Sequence, residues 1–240
     1  MSRRDGFVHV GSTAIHYVAV ESEGSVRMPA VIVPGFGEAA EEWEPFARSL
    51  NRPAVAMSVR GRGLSDAPTS GYTWQDHVDD VVAVVEEMGW EEFVLVAYSR
   101  GTSYALGLAL RYPNRTKALV VADYTARHVG LPPEFIEITS KRSWNGKTMS
   151  ERMPMHALEA LQVDAIEIPL WDRLSELTCP VLLVKPERPA FLKDATVAQW
   201  LASYDRIEIV DLPGTTHNLW VEDPVGFQAI VRDFLDRTVT

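Results

Sequence analysis

Residues 95–110 read LVAYSRGTSYALGLAL. Leu95 to Tyr98 belong to an apolar run, Ser99 and Arg100 interrupt it, and no proline breaks residues 101–111. A short apolar run followed by a helix-compatible one reads as a strand buried on both faces that turns into a helix. Such a turn places Ser99 at the carboxyl end of a strand, where ligands bind in open α/β sheets. It also sets Ser99 before a helix N-terminus, whose free N–H groups favour negative charge. Two readings follow: Ser99 is a nucleophile held on a sharp turn, or it is a polar residue where a strand gives way to a helix.

Outward from this stretch the same alternation recurs. Short β-rich runs lie at 7–10, 14–20, 30–33, 54–59, 93–97, 117–122, 181–184 and 207–210. Between them, Val78, Val81, Val82 and Val85 repeat at the spacing of one helix face, and 222–237 reads as a closing helix. Strands alternating with helices predict an α/β fold with a mostly parallel central sheet and helices on both faces. Residues 125–178 break the rhythm with prolines, scattered Trp and Met and no clear strand, too long for a bare loop. They are expected to form an inserted helical cap on a core made of 1–124 and 179–240. The first half of this insertion is locally basic, with Arg127, Lys141, Arg142, Lys147 and Arg152 against Glu134, Glu137 and Glu151. A solvated face is the ordinary reading of such a run.

The 240 residues suffice for one sizeable core, and 46% hydrophobic with 23% charged residues is ordinary for a folded domain. A net charge of −10 opposes nucleic acid and anionic membranes, because a phosphate surface needs a basic patch to displace its counterions. The opening MSRRDGFVHV lacks a signal-length apolar stretch, and no segment approaches a membrane span, so a cytoplasmic location is expected. Cys179 is the single cysteine and can form no internal disulfide; a buried, inert thiol is expected.

The stretch VIVPGFGEAA allows a nucleotide reading, since Gly35, Gly37 and Ala40 match G-x-G-x-x-G/A after a strand and Arg60 ends the next strand, where an NADP-binding arginine could sit. Against it, Glu38, Glu41 and Glu42 crowd negative charge around a pyrophosphate, Pro34 removes a donor, and two strands precede the supposed first one. The competing reading makes this loop one wall of an oxyanion hole, with the N–H groups of Phe36 and Arg100 as the two donors.

A hydroxyl needs a base to become a nucleophile. Of six histidines, His217 fits best, in a loop after the last strand and before the closing helix. His9 and His16 lie in leading strands, His77 opens the Val78 helix, and His128 and His156 lie in the insertion. The elbow pattern G-x-S-x-G appears as Ala97-Tyr98-Ser99-Arg100-Gly101. The acid that orients His217 has two candidates. Asp123, just past the run 117–122, suits the order Ser, Asp, His, and Glu187 is the alternative in a loop where Pro189 replaces an expected aspartate. Tyr98, Tyr124 and Trp144 are candidate substrate-lining aromatics, each with plain core packing as the alternative.

Together VPGFG, RGRGLSDAP, AYSRG and GTTHN resemble the oxyanion loop, the RGxGxSxxP-like segment, the nucleophile elbow and the histidine loop of the α/β-hydrolase superfamily, over nearly the whole chain. An acid after strand six is similar to haloalkane dehalogenases and some bacterial amide hydrolases, and Ser99 argues against the dehalogenases' aspartate nucleophile. The resemblance implies a serine hydrolase acting on a small acyl substrate with no metal or cofactor. Pro34, Ala97 and Pro189 depart from the family's frequent residues. They motivate the alternative of a non-hydrolytic protein of this fold, a small-molecule receptor or cyclisation catalyst. Arg100 and the basic half of the insertion suggest a substrate carboxylate, with surface ion pairing as the alternative.

Overall fold

The strands, in chain order, are β1 (Ser2–Val10), β2 (Thr13–Glu21), β3 (Ala30–Val33), β4 (Ala54–Ser58), β5 (Phe93–Tyr98) and β6 (Thr116–Ala122). Four two-residue strands follow, β7 (Arg127–His128), β8 (Ser143–Trp144), β9 (Lys147–Thr148) and β10 (Ile168–Pro169), then β11 (Val181–Pro186) and β12 (Ile207–Leu212). The helices are α1 (Glu44–Ser49), α2 (Trp74–Met88), α3 (Gly101–Arg111), α4 (Phe135–Ser140), α5 (Met149–Arg152), α6 (Met155–Asp164), α7 (Asp194–Ser203), α8 (Leu219–Glu222) and α9 (Pro224–Thr238). This computed structural model describes residues 1–21, 24–140 and 142–239.

All eight runs expected from the sequence are strands of one sheet, in the order β1-β2-β4-β3-β5-β6-β11-β12. The β1–β2 and β2–β4 pairs are antiparallel and the remaining pairs are parallel. Alternation along each strand divides the core. Val31, Val33, Leu95, Ala97, Leu119 and Val121 pack under α2 and α3. Ile32, Val94, Val96, Val120, Leu182 and Val184 pack under α1 and α9. Apolar side chains on both faces are what a parallel sheet covered by helices requires, and each fully buried Val or Leu contributes about 1.5–3 kcal/mol.

Local signals set the ends of elements. Thr73 accepts the Asp76 N–H while the Asp76 carboxylate takes the Thr73 N–H, a capping box opening α2, and Gly89 closes it at φ 66°. The helix expected over 222–237 is α9, and a separate short helix, α8, precedes it. Asp223 accepts the Gly226 N–H and Pro224 fixes the first helical φ, so α9 starts afresh after α8.

Between β6 and β11 the chain leaves the sheet. The structure there holds α4, α5 and α6 as expected, but also short strands that the sequence reading lacked: β7 pairs with β10 and β8 with β9. The β8–β9 hairpin turns at Asn145 and Gly146, at φ 48° and 74°, the Asn-Gly signal of a tight hairpin. A small cluster of Tyr72, Met153, Ala157, Leu158 and Leu161 binds this segment to the loop carrying Phe36. Lys141 lies outside the described residues. Arg127 pairs with Glu167 and Arg152 with Glu42, so part of the basic run is neutralised locally.

Candidate active site

Ser99 follows β5 at φ 50°, a left-handed conformation that non-glycine residues rarely adopt, and the Thr102 N–H already bonds its carbonyl. Two residues on, a Cβ at Gly101 would collide with the carbonyl oxygens of Pro34 and Val33, so only glycine lets α3 start so close to β3. This presses Ser99 to the carboxyl edge of the sheet, with 8% of its surface exposed.

His217 meets Ser99 there. Its Nε2 lies 2.9 Å from Ser99 Oγ and its Nδ1 2.8 Å from Asp123 Oδ2. Tyr98 stacks on the imidazole at 5.2 Å and donates its hydroxyl to the His217 carbonyl at 2.9 Å, holding the histidine loop against β5. Asp123, directly after β6 at φ 42°, is fully buried. Its oxygens also accept the N–H groups of Ala190 at 2.9 Å, Phe191 at 3.2 Å and Leu192 at 2.8 Å. Burial pushes the Asp123 carboxyl up, but the His217 bond and the Leu192 and Ala190 amides outweigh it, so it sits below the ordinary aspartate value. Glu187 is elsewhere: exposed, it accepts the Gly214 N–H at 2.8 Å, and of the two candidate acids the structure brings only Asp123 to His217.

Among the described residues, neither the Phe36 nor the Arg100 N–H is bonded within the protein. Glu38 explains why the glycine loop beside them does not fit a pyrophosphate. Its carboxylate takes the Gly35 N–H at 2.8 Å, filling the place a phosphate oxygen would need. Arg60, the other element of the nucleotide reading, forms a bidentate ion pair with buried Asp80 at 2.6 Å. Among the described residues no cluster of three or more His, Cys, Asp or Glu is placed to hold a metal ion.

A cavity of about 390 Å³ opens over His217, lined by Phe36, Tyr98, Tyr124, Trp144 and Phe191 among others. The three aromatics singled out in the sequence therefore face one space. Two also hold polar ties, Tyr98 to the His217 carbonyl and Trp144 to Glu38. Arg100 lines the cavity too, yet only 3% of it is exposed. Nε donates to the Tyr104 hydroxyl, Nη1 to the Val129 carbonyl and Nη2 to His128 Nε2. Burial and the neighbouring Arg100 and Arg62 charges push His128 down to about 2, so it accepts as a neutral imidazole.

Sequence reasoning missed Glu38 as a structural centre and Arg62. Arg62 is buried, donates Nε to the Phe36 carbonyl at 2.9 Å and leaves its buried Nη2 without a partner. Arg142 stands exposed at the cavity rim. The signal for Arg62 was its place beside a glycine-rich turn, Gly61 and Gly63, both at positive φ.

Comparison with known proteins agrees with this architecture. A family model described as alpha/beta hydrolase fold matches residues 29–160. A 2-(acetamidomethylene)succinate hydrolase from Mesorhizobium japonicum is 21% identical over 216 residues, 76% of this chain and 78% of that one. A putative 2-succinyl-6-hydroxy-2,4-cyclohexadiene-1-carboxylate synthase from Bacillus subtilis is 26% identical over 93% of this chain and 96% of its own. Among solved structures, Est816, described as an N-acyl homoserine lactone degrading enzyme, superposes with a TM-score of 0.76 at 25% identity, covering 95% of this chain and 100% of that one. Among the described residues no helix is long and apolar enough to cross a membrane.

Proposed function

Since the chain belongs to the α/β-hydrolase fold family and is, like the Mesorhizobium relative, an enzyme of hydrolase type, we propose that it is a serine hydrolase cleaving a small ester, thioester, lactone or amide. The observation that carries this reading is the unbroken chain of hydrogen bonds from Ser99 through His217 to Asp123, at 2.9 and 2.8 Å.

Ser99 Oγ attacks the substrate carbonyl carbon while His217 Nε2 takes its proton. Asp123, ionised and buried, keeps the proton of His217 on Nδ1 and stabilises the imidazolium that forms. The tetrahedral oxyanion is received by the Phe36 and Arg100 N–H groups, at the positive end of α3. Collapse expels the alcohol, thiol or amine, which takes the proton from His217. Water then repeats the sequence on the acyl-serine and releases the acid. No step calls on a metal or cofactor.

Phe36, Leu131, Phe135 and Met149 around the cavity support a substrate with an apolar portion. The buried Arg100 guanidinium, engaged by three neutral acceptors, supports an electrostatic role under the cavity more than direct clamping of a substrate carboxylate. The partner in this reading is a small acyl substrate and neither nucleic acid nor membrane, supported by the net charge of −10. A cytoplasmic site of action is supported by a lone cysteine in place of disulfides.

The Bacillus relative named as a synthase favours one second reading, a non-hydrolytic reaction such as a cyclisation at the same site. Turnover of activated esters separates the two. Hydrolysis that disappears in both Ser99→Ala and His217→Ala, by about 10⁴- to 10⁶-fold, is the expected outcome. Folded protein that turns over no acyl donor of any length or charge would sink the hydrolase reading.

A further inference from the structure

Glu38 lies two residues past Phe36 with 3% of its surface exposed. Oε2 accepts the Gly35 N–H at 2.8 Å and the Trp43 indole at 2.9 Å; Oε1 accepts the Trp220 indole at 3.1 Å and the Trp144 indole at 3.2 Å. These donors come from four separate places. Gly35 belongs to the loop leading to Phe36, Trp43 to the 3-10 turn at Ala40–Trp43, Trp144 to the β8–β9 hairpin, and Trp220 to α8, three residues after His217. An indole has one donor and no acceptor, so three indoles and an amide converging on one point need four lone pairs, which an ionised carboxylate supplies.

The rings are packed as well as bonded. Trp43 stacks on Trp220 at 4.3 Å, Tyr98 lies against Trp43, Trp144 and Trp220, and Trp144 comes within 6.4 Å of His217. A second tie runs parallel to the first, since Arg152 of α5 donates to the Gly37 carbonyl at 3.2 Å and to Glu42 at 2.8 Å. The insertion is therefore fastened at Gly37, Glu38 and Glu42, directly after Phe36.

We propose that Glu38 is a positioning residue of the reaction: its carboxylate sets the Phe36 loop, the Trp144 hairpin and the helix behind His217 in one register, so that oxyanion donor and base are aligned when the insertion is seated. What is positioned rests on the serine-hydrolase reading; the register itself does not. Burial pushes Glu38 up to about 7, with the Gly35 and Trp43 bonds opposing and the Glu42 charge adding to the rise. The other charged or titratable groups around it are Tyr98 from β5, Arg152 from α5, Arg100 before α3, and His217 across the cavity. Protonation places an O–H where an acceptor is needed and leaves one of the four donors unpaired.

The test pairs kinetics with tryptophan fluorescence. In Glu38→Gln, kcat for an activated ester falls about tenfold or more, a fraction of the 10²–10³ lost with a whole oxyanion donor. Trp220→Phe, outside the cavity lining, removes one donor, keeps the carboxylate and lowers kcat several-fold. Indole fluorescence, titrated through neutrality in a His217→Ala background to silence the imidazole, shows a transition centred near pH 7 that vanishes when Glu38→Gln is added. Wild-type kcat and KM in Glu38→Gln, or a transition that survives it, overturns the proposal. Should Glu38→Gln not fold, unchanged kcat in Trp220→Phe overturns it equally. If no ester is turned over by any form, the hydrolase reading fails, while the fluorescence titration still decides whether Glu38 sets the register.

Discussion

The histidine side and the oxyanion side of the cavity each bury a carboxylate that accepts four N–H donors, and burial pushes both up, yet their net shifts have opposite signs. Asp123 is bonded by three successive backbone amides and by an imidazole that can carry positive charge, and it sits below its ordinary value. Glu38 is bonded by one amide and three neutral indoles, with the Glu42 charge nearby, and it is raised to about 7. Equal numbers of hydrogen bonds do not confer equal acidity; a partner able to become charged, and amides fixed in one turn, offset desolvation where indoles do not. The consequence is a division of labour. Asp123 stays ionised down to below the ordinary aspartate value, while Glu38 changes state at about 7.

The contrast can be broken most sharply at the acid. Asp123→Asn is expected to lower kcat by roughly 10⁴-fold, because the amide can present its NH₂ to His217 and reverse the tautomer that leaves Nε2 free to accept. Glu187→Gln, an exposed residue serving the Gly214 turn, should leave kcat within about twofold, in keeping with the small effects of surface changes. Steady-state rates on one activated ester decide it. Equal rates in wild type and Asp123→Asn, with collapse in Glu187→Gln, would transfer the role to Glu187.

A smaller effect lies in stability against pH. Glu38 has a folded value near 7 against an ordinary 4.5, so the fold binds its proton more tightly than the unfolded chain does between those values. Stability from this group is full below its unfolded value, declines as pH rises through about 7 and is constant above. The shift corresponds to about 3 kcal/mol. Asp123 has the opposite sign: its contribution is present above the ordinary 3.8 and is lost as pH falls through its lowered folded value. Urea unfolding of wild type and Glu38→Gln at acidic and at neutral pH should show a difference between the two that changes across this window. Parallel pH profiles would remove Glu38 as the titrating group.

The sheet was legible because its strands are apolar on both faces and bounded by polar turns; all eight runs of the expected set appear in it. The elbow was legible from Gly101, whose close approach to Val33 and Pro34 admits no side chain. The order Ser, Asp, His already favoured Asp123 over Glu187 for His217, but what holds Asp123 was not legible, because residues 190–192 fold back to present their amides to it from 67 to 69 residues away in sequence. Glu38 was read only as negative charge hostile to a nucleotide. Its donors Trp43, Trp144 and Trp220 are spread across the chain, and no local pattern announces that they converge. In the insertion the Asn145-Gly146 pair was present as a hairpin signal, but flanking segments of two residues are too short to show period-two alternation.

The central claim is that Ser99 is the nucleophile, and covalent labelling addresses it most directly. Wild-type protein treated with a fluorophosphonate and digested for mass spectrometry should carry one adduct, on the peptide containing Ser99, with labelling abolished in Ser99→Ala and strongly slowed in His217→Ala. An adduct on another residue, or none on a folded protein whose cavity admits the reagent, would contradict the account.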